Sequence, residues 1–456
     1  MFFLIVKNED FLDTVDKEII KTLENKIKAE PDYLSFYNAN TKEYTHCYHS
    51  YPAMMIPQIA REFINITKKA NQKIKNIFDP FMGSGTTLVE GMIQNLKGYG
   101  IDINPLAYLM AKTKTTPIEP EYLKNNVEKL LNNINQKYNS YLEGTYKIEN
   151  LPKFDRIDFW FKPKVIELLQ LIKNCIIEFE DEQIKNFYLA TFSETVRYVS
   201  NTRNNEFKLY RMPPEKLKEW NPDVVNIFKD YLKRNCEGNN IFYEEISKFG
   251  NFTSPIIVTG SSENLPFSDN SFDLLITSPP YGDSKTTVAY GQFSRLSSQW
   301  LDLEIDENTK INQLDNVMLG GKVEKNLNAS DELDKLNSET LRQIFNEIYS
   351  IDKKRAFEVL QFYIDLDKTL NEVARVMKIN SYQFWVVANR TVKGITILTD
   401  EIIIEMFKKY GICHIHRFYR KIPNKRMPLK NSPTNQTGKL SKTMTSEIII
   451  MFKKIK

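Results

Sequence analysis

Apolar and polar positions along this chain follow a strand-then-helix rhythm in two regions, separated by a stretch where helical spacing alone prevails. In the first region, Ile74–Phe78 predicts a short buried strand, a glycine-rich turn follows, and Thr87–Leu96 predicts an amphipathic helix. Gly98–Asp102 predicts a second strand. Pro105–Lys114 predicts a second helix, with proline in the first turn, where a missing N–H costs no helical bond. The second region begins near Pro255. Ile256–Val258 and Phe272–Ile276 predict strands, Ala356–Met377 a long helix, Tyr382–Ala388 a strand and Glu401–Lys408 a helix, before closing strands at Ile412–Tyr419 and Glu447–Phe452. Strands alternating with helices predict an α/β fold built on an open, mostly parallel sheet.

Between these regions, Ile118–Ser254 has a different texture. Val165, Ile166, Leu169, Ile172 and Ile176 recur at helical spacing within Pro163–Ile177, and Phe187–Tyr198 repeats the pattern, so a mainly helical insertion is expected. Glu304–Glu339 is polar and acidic and contains Gly320–Gly321, which predicts a mobile loop excursion. The divisions that follow are an N-terminal extension (1–43), a first catalytic part (44–117), the insertion (118–254) and a second catalytic part (255–456) with a polar excursion at 302–350. The apolar start, Met1–Val6, meets charge at Lys7 and reads as a strand or anchoring segment rather than a signal sequence.

At 456 residues, 41% hydrophobic and 26% charged, the chain can bury a large core without disulfide or metal staples. Cys47, Cys175, Cys236 and Cys413 are scattered with no CxxC pair, which argues against a zinc site or disulfide framework and for reduced thiols in a cytoplasmic protein. No apolar run approaches the roughly 18 residues of a membrane span. The charge sum, 62 Lys+Arg against 58 Asp+Glu, is only +4, so its distribution must decide whether a nucleic acid is a partner.

Chemistry concentrates at two strand ends. Asp79-Pro80-Phe81-Met82-Gly83-Ser84-Gly85-Thr86-Thr87 joins a strand to a helix, where glycines let the backbone approach a ligand and the helix start offers N–H donors. No lysine follows Gly85, which disfavours a P-loop, and Leu88 replaces the third glycine of a dinucleotide fingerprint. Asp102 ends the next strand, where a doubly wound fold bonds ribose hydroxyls. Thr277-Ser278-Pro279-Pro280-Tyr281 follows the third apolar strand. Its prolines fix a rigid turn with outward carbonyls, Ser278 adds a hydroxyl, and Tyr281 adds an aromatic face that can stack on a base.

These segments together resemble the amino-directed DNA methyltransferases that use S-adenosyl-L-methionine. The resemblance rests on DPFMGSGTT, GIDINPLA and TSPPY, and on Tyr48–Ile64, which is similar to the family's additional cofactor motif. It implies a Rossmann-like fold with a seven-stranded sheet ending in an antiparallel hairpin. It also implies cofactor contacts from His49, Tyr51, Pro52, Asp79, Pro80, Phe81, Gly83, Ser84, Gly85, Thr86, Asp102 and Ile103. The family commonly has an acid after the third strand; here the run is Ser261-Ser262-Glu263, leaving Ser261 or Glu263 for the adenine amino group, or neither. Ser278 and the Pro279 carbonyl would accept from the target amino group, Pro280 would hold the turn and Tyr281 would stack on a flipped base. Serine before Pro-Pro-Tyr points to cytosine N4, with adenine N6, an RNA amino group and a catalytically idle DNA-binding subunit as alternatives.

Double-stranded DNA is the expected partner, either with a cognate restriction endonuclease in a restriction–modification system or in an orphan modification system without one. Candidate DNA contacts are Arg197, Arg203, Lys208 and Arg211 in the insertion, Lys285 and Arg295 after the catalytic loop, and Lys425 and Arg426 in the acid-free stretch Met406–Ser446. The order of motifs places target recognition in Ile118–Ser254, with Asp302–Ser350 as the rival. No metal ligand set is expected.

Overall fold

A computed structural model describes residues 12–203, 206–250, 252–283, 286–305, 309–422, 430–431, 441–442 and 446–456. Met1–Val6, Lys285, Lys425 and Arg426 lie outside the described residues. Seven strands form the central sheet: β1 (Asn76–Asp79), β2 (Lys97–Asp102), β3 (Ile256–Thr259), β4 (Phe272–Thr277), β5 (Met377–Val387), β6 (Ile412–Lys421) and β7 (Ser446–Lys454). Their order is β3-β2-β1-β4-β5-β7-β6. The first five are parallel, and β7 runs antiparallel between β5 and β6. The expected Rossmann-like α/β sheet with an antiparallel terminal hairpin is what the chain forms.

The period-2 pattern of the strands explains how the sheet is covered. On β4, Leu274 and Ile276 face one layer, where Ile19 and Leu23 of α1 (Thr14–Ala29) pack with Ile59 and Phe63 of α2 (Pro57–Ala70). Leu275 faces the other layer, against Val359, Leu366, Leu370 and Val373 of the long helix Lys353–Val376. Two further helices, α3 (Thr86–Ile93) and α4 (Pro105–Lys114), follow β1 and β2.

Residues 118–254 form four long helices: α5 (Pro120–Leu142), α6 (Pro163–Ile177), α7 (Glu182–Val199) and α8 (Val224–Ser247). They carry a core of their own around Leu169, Ile172, Phe187, Phe192 and Phe228, which Trp300 joins from the helix Tyr290–Trp300.

The excursion after residue 302 corrects the expectation of a mobile loop. It contains helices at Ala329–Leu336 and Glu339–Ile351, and Leu319, Leu333, Leu336, Leu341 and Ile344 are buried in the main core. Leu341, Ile344, Phe345 and Ile348 lie on one helical stripe, buried while the charged positions between them face water. β5 also begins five residues before the predicted Tyr382, because its first turns are partly exposed and polar.

Candidate active site at the carboxyl edge of the sheet

Neighbouring parallel strands deliver the two chemical loops to one place. Phe78 of β1 lies opposite Leu275 of β4, so Asp79 and Ser278 leave the sheet at the same edge. The Asp79 carboxylate accepts from its own loop, Phe81 N at 3.0 Å, and from Thr277 Oγ1 at 2.6 Å, the residue before Ser278. Thr87 Oγ1 at the start of α3 donates to the Ile276 carbonyl at 3.1 Å. The glycine loop and the Ser-Pro-Pro-Tyr loop are therefore bonded to each other.

Two glycines shape the first loop. Gly83 has φ +48° and Gly85 has φ +85°, and a Cβ on Gly85 would sit 3.0 Å from Ala111 of α4. The bend turns Gly83 N toward Asp102 Oδ2, 3.0 Å away, while Asp102 Oδ1 accepts from Asn104 N at 2.8 Å. Burial pushes Asp79 and Asp102 each up to about 6, against the pull of these hydrogen bonds. Asn104 then ties in the segment before α2: its side-chain amide donates to Tyr51 Oη at 2.9 Å and to Ser294 Oγ at 2.7 Å.

These loops surround one cleft. Its walls take Tyr51 and Pro52 from the segment before α2, and Asp79, Pro80, Phe81, Gly83, Ser84 and Thr86 from the glycine loop. Asp102 and Ile103 close the β2 end, and Ser261 and Glu263 the β3 end. Glu263 is bonded to Lys368 at 3.3 Å, and burial raises its pKa. Two residues predicted for the cofactor do not line this cleft. Gly85 faces α4 instead. His49 is buried behind the wall, where its Nδ1 lies 2.7 Å from the Ser50 carbonyl and its ring packs edge-on to Phe293. Burial pushes His49 down to about 4, so it is a neutral packing residue. Behind the loop, Lys114 is fully buried and donates to Ser84 Oγ at 3.1 Å, and burial lowers it to about 7.

On the opposite wall, Ser278 and Pro280 reach the cleft while Pro279 is buried. Tyr281 Oη lies 3.2 Å from Ser278 Oγ and donates to Glu447 Oε1 of β7 at 2.9 Å. The next residues are clamped. Gly282 packs against the Arg390 guanidinium, which would lie 2.2 Å from a Cβ there, and buried Asp283 pairs with Arg355 at 3.0 Å and Arg390 at 3.3 Å. The two guanidinium charges hold Asp283 below its ordinary range despite burial.

Sequence reasoning missed several residues of this site. Met54 and Met55 supply apolar wall, Tyr290 stacks obliquely on Tyr51 with ring centroids 5.9 Å apart, and Val317, Met318 and Leu319 come from the supposed loop excursion. The buried stripe of the helix Glu339–Ile351 was the signal that this excursion docks on the body of the protein. Glu447, the first acid after the acid-free stretch, was visible as a residue but not as a neighbour of Tyr281.

The candidate DNA contacts divide. Arg203 and Arg211 are exposed on a short hairpin closed by a Thr202–Arg211 bridge, beside exposed Phe207 and Tyr210. Arg211 lies over the Phe159 ring at 4.2 Å, Lys208 is half-buried on the same hairpin, and Arg295 is half-buried on the helix Tyr290–Trp300. Arg197 corrects the expectation of a DNA-facing residue. It is buried over the Phe293 ring at 4.7 Å and donates to the Glu206 carbonyl at 2.7 Å, so it supports the hairpin from beneath. In the basic stretch, Lys409, Arg417, Arg420 and Lys421 each pair with an acid from elsewhere in the chain.

A parallel sheet whose first two strand ends offer a glycine loop and an acid, with a Ser-Pro-Pro-Tyr turn bonded beside them, defines a methyltransferase that uses S-adenosyl-L-methionine. The family model described as DNA methylase, of the N6/N4 type, matches residues 1–113. The type II methyltransferase M.MvaI of Kocuria varians is 60% identical over 447 residues, 97% of this chain and 98% of that protein. The type II methyltransferase M.MjaII of Methanocaldococcus jannaschii is 25% identical over 354 residues, 57% of this chain and 64% of that protein. An rRNA methyltransferase of Streptomyces viridochromogenes superposes with a TM-score of 0.31 at 10% identity, covering 89% of this chain and 88% of that one, too low to add to the argument. The chain belongs to the type II DNA methyltransferases. Among the described residues no helix is long and apolar enough to cross a membrane.

Proposed function

We propose that this DNA methyltransferase modifies the N4 amino group of a cytosine flipped out of double-stranded DNA, as the modification partner of a restriction endonuclease that cuts the same sequence. The observation that carries the reading is the hydrogen bond from Thr277 to Asp79, which sets Ser278 beside the glycine loop. The cleft fits the cofactor in its lining: the strand-end acid Asp102 borders it, and its glycine loop leaves no side chain at Gly83. Asp102 would take the ribose hydroxyls, the Phe81–Thr86 loop the methionine part, and Ser261 or Glu263 the adenine amino group.

Bound there, S-adenosyl-L-methionine supplies an activated methyl group. The chain's own residues supply position. Ser278 Oγ and the Pro279 carbonyl accept from the target amino group, which leaves the nitrogen lone pair free, and Tyr281 stacks on the flipped base. Stacking of roughly 1–3 kcal/mol per base offsets part of the cost of extrusion. Serine ahead of Pro-Pro-Tyr supports cytosine over adenine. Methyl incorporation into duplex DNA but not transfer RNA supports the reading, and identification of N6-methyladenine as the product overturns its choice of base.

Asp102 gives the site a pH dependence. With its pKa raised to about 6, the carboxylate is lost as pH falls through that value, and with it the acceptors for the ribose. Cofactor affinity is expected to fall by up to about tenfold per pH unit below 6. Calorimetric titration from pH 8 to 5 measures it, and Asp102→Asn is expected to bind weakly with a shallower profile, because Asp79, raised to the same range, still titrates. The sign for folding is opposite. A carboxyl with a raised folded pKa contributes stability that is complete below its ordinary 3.8 and lost as pH rises through about 6, so acidification across this window does not weaken the fold through Asp102.

The exposed hairpin supplies the DNA test. Arg203→Ala and Arg211→Ala are each expected to weaken duplex binding and to lower the slope of log affinity against log salt by about 0.9. Fluorescence anisotropy at several salt concentrations measures it, and unchanged slopes would place the duplex elsewhere.

A further inference from the structure

We propose that Glu447, acting through Tyr281, fixes the Ser278 hydroxyl as a pure hydrogen-bond acceptor toward the cleft, which makes Glu447 a positioning residue for methyl transfer. The inference rests on the reading of Ser278 as the group that meets the target base.

A serine hydroxyl alone has no fixed polarity: it donates one proton or accepts through its lone pairs as its neighbours dictate. Here the neighbours leave one arrangement. A carboxylate only accepts, so the 2.9 Å contact between Tyr281 Oη and Glu447 Oε1 uses the single phenolic proton. Burial, with the charge of Glu447 added, pushes the Tyr281 phenol well above its usual range, so it stays a protonated donor. The 3.2 Å contact between Tyr281 Oη and Ser278 Oγ then requires the serine to donate. Its proton points away from the cleft, and its lone pairs face the space it helps to line.

The far end of the relay is anchored. Glu447 of β7 lies directly across from Arg420 of β6 in the antiparallel register, and the two side chains pair. Arg420 is itself buried and donates through Nε to the Leu34 carbonyl at 3.0 Å. The carboxylate is thus held by the sheet rather than by a loop.

The consequence is selectivity for the exocyclic group. An amino group, on cytosine or adenine, brings N–H donors that a lone-pair-only Ser278 satisfies. The carbonyl of thymine at the same place brings acceptors, which such a serine repels and a freely rotating one would tolerate.

Tyr281→Phe keeps the stacking ring but removes the relay, and Glu447→Gln replaces an obligate acceptor by a group that can also donate. With the full-length enzyme and duplex DNA carrying its mapped site, three quantities separate the outcomes: the single-turnover methylation rate, cofactor affinity by calorimetry, and base extrusion read by 2-aminopurine at the target position. Both variants are expected to lose about tenfold or more in rate, with affinity and extrusion within about twofold of wild type. Wild-type rates in both variants, or a rate loss matched by equal losses of affinity and extrusion, would overturn the relay. Ser278→Ala at the wild-type rate marks a different failure, that of the catalytic-loop reading itself.

Discussion

Ser278→Ala is expected to slow methyl transfer by about 100-fold while changing cofactor affinity little. As the amino nitrogen gains the methyl it develops positive charge and its N–H groups become stronger donors. The acceptor facing them therefore contributes more in the transition state than in the ground state. With the Pro279 carbonyl proposed as a second acceptor, activity is expected to fall without vanishing. Ser278 lies on the catalytic wall, whereas the bonds that shape the glycine loop run through Asp79, Thr277 and Asp102, none of which the substitution touches. Single-turnover kinetics alongside calorimetry measure both quantities in one preparation. Equal rates in Ser278→Ala and wild type would remove this loop from the chemistry.

Gly83→Val is expected to abolish cofactor binding, with a loss above about 100-fold. Gly83 has φ +48°, a backbone region that a β-branched residue occupies only at a strain of about 1–3 kcal/mol. Its Cβ would already stand in contact with Tyr51 Cε1 at 3.5 Å, and both residues line the cleft, so the two added methyls would crowd it. Relief by shifting the loop would break the bond from Gly83 N to Asp102, the acid assigned to the ribose. Gly144→Val is the control: φ there is +73°, with nothing within 4 Å of a Cβ, so it carries the backbone strain without the cleft. Calorimetry is expected to find binding lost in the first variant and intact in the second; loss in both would make the effect one of folding.

The catalytic half was legible because its signals are local. A strand ending in Asp79, a glycine turn and a helix start sit within a dozen residues, and Asp102 and Ser278 each close an apolar run. Spatial order was less legible. That β1 lies beside β4 across nearly 200 residues of sequence, and that Glu447 of β7 reaches Tyr281, depends on sheet register, which no local pattern carries. Composition misled within Glu304–Glu339, where acidic and polar residues masked Leu319, Leu333 and Leu336, which are buried in the main core. Charge misled at Arg197, because an arginine reads as exposed until a ring such as Phe293 is seen to cover it. The weak net charge of +4 is likewise uninformative: Lys409, Arg417, Arg420 and Lys421 of the basic stretch are each neutralised by acids from elsewhere in the chain.

Modification-sensitive sequencing of unmethylated DNA, incubated with the purified protein and S-adenosyl-L-methionine, reads the chemistry, the target base and the sequence context together. N4-methylcytosine at one short recurring sequence is the expected result, with far less of it in DNA treated with Ser278→Ala for the same time. N6-methyladenine at such a sequence would contradict the assignment of cytosine, and DNA left unmodified by the wild-type protein would contradict the active site itself.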